Sequence, residues 1–341
     1  MMNKLKAVVA MLLLALPLTQ SLAQVAGQVK VETITVHGKN LEGNLEGDSP
    51  DRQVLVYLPP GYATQSNKRY PVIYLLHGYG GPAETWNSFH KLAERMDAAF
   101  KAGSKELIIV APDAMTIHKG SFYSNSVTVG NWESYLADEL VKYIDKNYRT
   151  IANRNARAIA GFSMGGYGTW RMAMKRPDTY GVAYSMSACC MDPLGDGNSR
   201  LGVLETVKTK EDADKLNLDR VALAFAAAWA PNPQKPPFFY DIPVVNGVKQ
   251  PDVQAELAAN AGNIMLHQYI PAIKSLNAIG MEIGLQDALH PSNLRMHELL
   301  DLYGIKHQWE TYEGGHGDKL GERMEKHMLP FMSAHLEFGK P

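Results

Sequence analysis

Three residues of this 341-residue chain are equipped to work together as a nucleophile, its base and an orienting acid: Ser163, His316 and Asp287. Ser163 stands in Gly161-Phe162-Ser163-Met164-Gly165, directly after the strand-like run ARAIA and directly before GYGTWRMAM, which reads as a helix. A serine hydroxyl is a poor nucleophile until a base takes its proton and a carboxylate orients that base. A sharp strand-to-helix turn lifts such a serine clear of a sheet, and the turn has no room for side chains two positions to either side. The helix that follows aims free N–H groups at the place where an oxyanion forms.

In that arrangement the chain order is serine, acid, histidine. His316 lies in the Gly-rich loop YEGGHGDKL, immediately after the strand-like HQWETYE. His290, His297, His307, His327 and His335 also follow Ser163, but His307 opens a strand and His327 and His335 fall in a surface-helix pattern, so His316 is the expected base. Asp287 ends the strand-like GMEIGLQD, with room for one helix and one strand before His316. Asp301 falls inside a helix, and Glu282 and Glu313 are less well placed. The expected oxyanion donors are the backbone N–H groups of Met164 and of Tyr79, with Gly80 next; Tyr79 lies in LLHGYGGPAETW, the loop after another apolar strand.

The elements that must hold these residues alternate along the chain. Strand-like runs occur at 31–36, 53–59, 71–77, 106–112, 156–162, 182–188, 281–286 and 307–313. Helical patterns fall at 83–103, at 131–149 with Asn131 as the expected N-cap, and at 164–175, 292–304 and 318–337. Strand and helix alternating in this way predict an α/β fold with a mostly parallel sheet covered on both faces. Residues 193–262 break the rhythm with helical pieces and a Pro-rich aromatic stretch, and read as a lid or cap inserted between two strands. Trp229, Phe238 and Phe239 in it are candidates for the wall of a substrate pocket; the other reading makes them the segment's own core.

Taken together, YLLHGYGG, WESYLADELVKYIDKNYRT, IAGFSMGGYGTWRMAMKRPDTYG and YEGGHG resemble the esterase D-like branch of the α/β-hydrolases, which includes S-formylglutathione hydrolases, secreted feruloyl and acetyl-xylan esterases and mycolyltransferases. The resemblance implies an α/β-hydrolase fold, the nucleophile on Ser163, the acid on Asp287, the histidine on His316 and the oxyanion donors on Met164 and Tyr79. The chain departs from that branch at GDKLGERM, where an aromatic residue often follows the histidine loop, and in the length of 193–262. Both departures fall where substrate would sit.

The remaining features bound the setting. A net charge of -1 without a long basic run argues against nucleic acid as a partner. MMNKLK, then AVVAMLLLALPL, then SLA has the layout of a signal peptide over residues 1–23, so residues 24–341 are expected as one exported domain, periplasmic or extracellular, with no stable membrane span. Cys189 and Cys190 are adjacent; a bridge between neighbours closes a strained ring, so they read as two small buried hydrophobes. There is no H-E-x-x-H, no Cys/His cluster at ligand spacing and no P-loop lysine, and the expected chemistry needs neither cofactor nor metal. The expectation is a serine carboxylic-ester hydrolase acting through an acyl-enzyme on small-molecule or polysaccharide-bound esters, with feruloyl and acetyl esters as examples. An acyltransferase with the same triad and a non-catalytic ligand-binding protein of the same fold are the alternatives.

Overall fold

Eight strands form one sheet: β1 (Lys30–His37), β2 (Asp51–Leu58), β3 (Val72–Leu76), β4 (Ile108–Pro112), β5 (Arg157–Phe162), β6 (Val182–Met186), β7 (Ala278–Gly284) and β8 (Gln308–Tyr312). They lie in the order β1-β2-β4-β3-β5-β6-β7-β8. β2 runs antiparallel to β1 and β4, and every later pair is parallel. The computed structural model describes residues 27–193 and 199–339, so the signal-peptide reading lies outside the described residues. No helix among the described residues is long and apolar enough to cross a membrane.

The central strands are apolar without interruption because they are covered twice. Every residue of β3 and β4 is buried, whereas the edge strands β1 and β8 have mixed burial. Alternate β3 side chains enter opposite cores: Val72, Tyr74 and Leu76 pack into one cluster, Ile73 and Leu75 into the other. On the Ile73 and Leu75 side lie helix α1 (Leu92–Lys101) and the C-terminal helix α7 (Leu320–Arg323, Met324–Met328 and Leu329–His335 end to end). On the Tyr74 side lie α2 (Trp132–Ser134, Tyr135–Leu140 and Val141–Asn147, likewise continuous) and α3 (Met164–Lys175). In chain order the remaining long helices are α4 (Val221–Trp229), α5 (Pro251–Ala259) and α6 (His290–Leu302). Strand order reverses at β3, and the crevice at the carboxyl ends of strands around such a reversal is where open α/β sheets bind ligands.

Two local expectations differ from the structure. The run 83–103 is not one helix: a short turn of helix at Thr85–Ser88 is separated from α1 by Lys91, whose φ of 55° is left-handed and cannot propagate a right-handed helix. Asn131 precedes α2, but its side chain makes no capping bond. It pairs instead with Asn125 in a two-residue hairpin, and Asn125 Oδ1 accepts the Ser134 N–H of the first turn at 3.2 Å. An acceptor that is remote in sequence has taken the cap's place.

The segment between β6 and β7 is tied to the domain's own interior. All nine residues of α4 are buried, in the same cluster as Phe122, Tyr167 and Trp170. The loop after β4 bonds to it repeatedly: Ser126 Oγ donates to Ala227 O and Thr128 Oγ1 to Phe239 O, both at 2.7 Å, and Arg220 donates to Ile117 O at 2.7 Å. A small hairpin, Val244–Val245 against Val248–Lys249, was not expected. Its signal was Asn246-Gly247, whose φ values of 51° and 74° suit the tight turn that joins two strands.

Candidate active site

The turn from β5 into α3 sets Ser163 at φ 56°, ψ −113°, a conformation that side-chain-bearing residues rarely adopt. The chain holds it there by exclusion and by hydrogen bonds. A Cβ on Gly161 would come within 2.3 Å of Gly165 O, and one on Gly165 within 1.9 Å of Leu76 O, so neither position admits any other residue without moving backbone. Ser163 N–H donates to Met186 O at 3.0 Å, and Ser163 O accepts from Tyr167 N at 3.0 Å and from Cys189 N at 3.1 Å.

The loops after β7 and β8 deliver the other two side chains. Leu285 N donates to Tyr312 O, Gln286 N to Gly314 O and Gly314 N to the Gln286 side chain, so the two loops are laced together before either residue appears. His316 Nε2 lies 2.9 Å from Ser163 Oγ, and His316 Nδ1 lies 2.8 Å from Asp287 Oδ2. Asp287 is 1% exposed at its side chain, while the His316 side chain is 40% exposed. Burial by itself would raise the Asp287 carboxyl. The hydrogen bond from His316, the Leu289 N–H at 2.9 Å, the histidine's charge and the Ser187 hydroxyl outweigh it and hold the group below the usual carboxylate range. With Asp287 ionised, His316 carries its proton on Nδ1 and turns the Nε2 lone pair to the serine. Residues remote in sequence thus form one hydrogen-bonded run.

The loop after β3 closes the third side. A Cβ on Gly78 would lie 3.4 Å from the Ser163 Cβ, which places the following residue, Tyr79, beside Ser163. The Gly80 N–H is committed to Lys119 O at 3.0 Å, whereas neither Tyr79 N–H nor Met164 N–H takes part in a backbone hydrogen bond among the described residues. Two residues that the sequence reading did not single out hold this loop. His77, fully buried, accepts from Ala114 N at 2.8 Å through Nε2 and donates from Nδ1 to Gly78 O at 2.8 Å. Burial lowers its pKa, which keeps it neutral as both bonds demand. Tyr123 Oη donates to His77 O at 2.8 Å.

Beneath the acid and histidine loops, Arg323 of α7 donates to Glu282 of β7 at 2.8 Å and bonds Glu310 of β8, and Tyr184 of β6 donates to Glu282 at 2.6 Å. Glu282 is therefore spent on this buried tie, and Glu313 takes a hydrogen bond from Gln286.

The aromatic residues of the inserted segment divide. Trp229 is buried against Phe122, Tyr167 and Phe225 at ring distances of 5.1–5.3 Å, and Phe122 stacks on Tyr79 at 6.2 Å, so Trp229 belongs to the core and backs the loop after β3 through one intervening ring. Its indole N–H donates to Ser124 Oγ at 3.0 Å. Phe238 stacks on Tyr240 and leans on His118, and the Phe239 carbonyl accepts from Thr128. Phe162 is the ring that lies against His316, 4.7 Å away. Elsewhere, one group among the described residues has the composition of a metal site, His297, Asp301 and His307. There His307 Nδ1 donates to Ile305 O, and its Nε2 and His297 Nδ1 are hydrogen-bonded to each other at 2.7 Å, so these nitrogens already have partners.

The sheet order, the strained serine turn and the hydrogen-bonded run define an α/β-hydrolase. Residues 49–319 match the family described as "Putative esterase", and the chain belongs to that family. Over 138 residues it is 42% identical to Esterase Rv1288 of Mycobacterium tuberculosis, a match covering 39% of this chain and 28% of that protein. Over 133 residues it is 38% identical to an endo-1,4-beta-xylanase/feruloyl esterase of Xylanibacter ruminicola, covering 37% of this chain and 18% of the relative. The chain therefore spans well under a third of the length of these curated relatives. A solved ferulic acid esterase superposes with a TM-score of 0.65 at 24% identity, covering 91% of this chain and 99% of that one, a likeness of fold.

Proposed function

We propose that the protein is an exported serine carboxylic-ester hydrolase. Ser163 Oγ attacks the ester carbonyl while His316 Nε2 accepts its proton, and Asp287 holds the imidazole and offsets its charge. The N–H groups of Met164 and Tyr79 receive the developing oxyanion. His316 then protonates the leaving alcohol, water attacks the acyl-enzyme with His316 again as base, and the acid is released. The observation that carries the reading is the run Asp287–His316–Ser163 at 2.8 and 2.9 Å on a turn that only glycine flanks permit. Hydrolysis is favoured over transfer to another alcohol because the base is 40% open to solvent at its side chain, so water reaches the acyl-enzyme.

For substrate we infer small or polysaccharide-bound esters, with phenolic acyl groups such as feruloyl ahead of acetyl. Support comes from the half-buried ring of Tyr79 on the loop after β3 and from the feruloyl esterases among the similar proteins. Export rests on the signal-peptide layout of residues 1–23. The test compares wild type and Ser163→Ala on p-nitrophenyl acetate, p-nitrophenyl octanoate and methyl ferulate, with fluorophosphonate labelling of both. Turnover and labelling confined to the wild type are expected. A wild type that neither turns over any ester nor labels would leave a ligand-binding protein.

A further inference from the structure

The two cysteines are the one chemically reactive pair that the proposed reaction leaves unused, and they sit against its nucleophile. Their Sγ atoms are 2.7 Å apart, about 0.65 Å more than the ~2.05 Å of a bonded pair. Cys189 is partly exposed and Cys190 is buried. The turn that carries them is tethered to Asp287 and Ser163 and, beyond them, to Asn293 and Gly262. Ser187 favours the ionised Asp287, Asn293 Oδ1 accepts from Ala188 N at 3.2 Å, Cys189 N–H donates to Ser163 O at 3.1 Å, and Cys190 O accepts from Gly262 N at 3.1 Å. Ser187 and Cys190 both have left-handed φ, 46° and 60°, so the turn is held in a conformation with little slack.

We infer that Cys189 and Cys190 form a reversible vicinal disulfide that changes the setting of Ser163, a proposal whose effect on activity rests on the serine-nucleophile reading. The oxidant is a disulfide, of a small thiol or of a protein dithiol oxidase. The partly exposed Cys189 thiolate attacks one sulfur of it and expels a thiol, giving a mixed disulfide; the Cys190 thiolate then attacks Cys189 Sγ and expels the second thiol. Two thiol protons and two electrons leave the pair, and the oxidant is reduced to two thiols. Closure is the slower step, because Cys190 is buried. The product is an eight-membered ring whose Cα atoms are held ~3.8 Å apart by the intervening peptide, against 4.4–6.8 Å in ordinary bridges, so it is strained and easily reduced. Closing it turns the 189–190 peptide and draws the Cys189 Cα with it, which tilts the adjoining 188–189 peptide whose N–H donates to Ser163 O. Losing one such bond at the turn corresponds to a change of about tenfold in rate.

The experiment treats the purified full protein with oxidised glutathione, then with dithiothreitol. Intact mass after iodoacetamide, hydrogen exchange of the peptides over 161–175, and kcat/KM on p-nitrophenyl acetate are read at each stage. The expected results are a mass lower by two hydrogens with no alkylation, faster exchange at the turn, and about a tenfold loss of kcat/KM, all reversed by reduction. Cys190→Ala should keep the reduced-state activity and lose every response. Persistent double alkylation, a glutathione adduct without closure, or closure that leaves both exchange and rate unchanged would each overturn the proposal. If no ester is turned over at any stage while the mass and exchange changes occur, the esterase reading falls and the disulfide stands.

Discussion

Replacing Asp287 by Asn tests the hydrogen-bonded run at its most informative point. The amide is nearly the same shape as the carboxylate, so the loop between β7 and α6 should keep its course. Its orientation is set by a neighbour: the Leu289 N–H, which now donates to Oδ1 at 2.9 Å, can be satisfied only by the amide oxygen. That leaves the NH2 facing His316 Nδ1, where Oδ2 now lies at 2.8 Å. An NH2 donor obliges Nδ1 to accept, so the imidazole proton moves to Nε2 and points at Ser163 Oγ, and the base has no lone pair to offer. Loss of the correct tautomer is worth about 10⁴-fold in kcat, or about 5.5 kcal/mol at ~1.36 kcal/mol per tenfold. Stability has a separate signature. The Asp287 carboxyl is held below its ordinary value, so its contribution is present above about pH 3.9 and lost as pH falls through its folded-state pKa. The Asn variant lacks that contribution, so its acid limb should be flatter. Stopped-flow release of p-nitrophenol gives kcat, and urea melts between pH 3 and 7 give the limb. A fall in kcat of less than tenfold, with the fold intact, would refute the assignment of Asp287 as the orienting acid.

Three further outcomes follow from the same geometry. Ser163→Gly relieves a backbone strain of about 1–3 kcal/mol that Ser163→Ala retains, so calorimetry should show the glycine variant melting several degrees higher than the alanine one. Arg323→Met leaves Glu282 buried without its cation and should cost about 3–5 kcal/mol in urea unfolding, with part recovered in the double variant Arg323→Met/Glu282→Gln. His77→Ala strands the Ala114 N–H and frees Gly78, costing about 1–3 kcal/mol, with kcat falling more than KM rises. Because burial lowers the His77 pKa, its contribution is present above about pH 6.5 and lost as pH falls below it, so the wild type should lose more stability than the variant between pH 7 and 5.

The sequence by itself determined the eight strands: a strand covered on both faces must be an unbroken apolar run, as VIYLL and IIVAP are, and the edge strands show as β-branched and aromatic residues alternating with polar ones, as in VETITV and QWETY. It also determined the serine turn, since Gly161 and Gly165 have no steric substitute, and it placed Ser163, Asp287 and His316 at the carboxyl ends of β5, β7 and β8. Tertiary structure decided whatever depends on partners distant along the chain. Asn131 has a capping residue's identity, but Asn125 occupies the capping role. Lys91 breaks a run of good helix formers, and only its φ reveals the break. Trp229 reads equally as pocket wall or as core, and its neighbours Phe122 and Tyr167 come from other segments. The N–H of Gly80 is removed from candidacy by Lys119 O, a bond between two loops. His77 and Arg323 carry no motif because their work is to satisfy buried groups supplied by other strands. Spacing along the chain encodes local geometry and the order of roles; who meets whom across the sheet is fixed only when the strands pack.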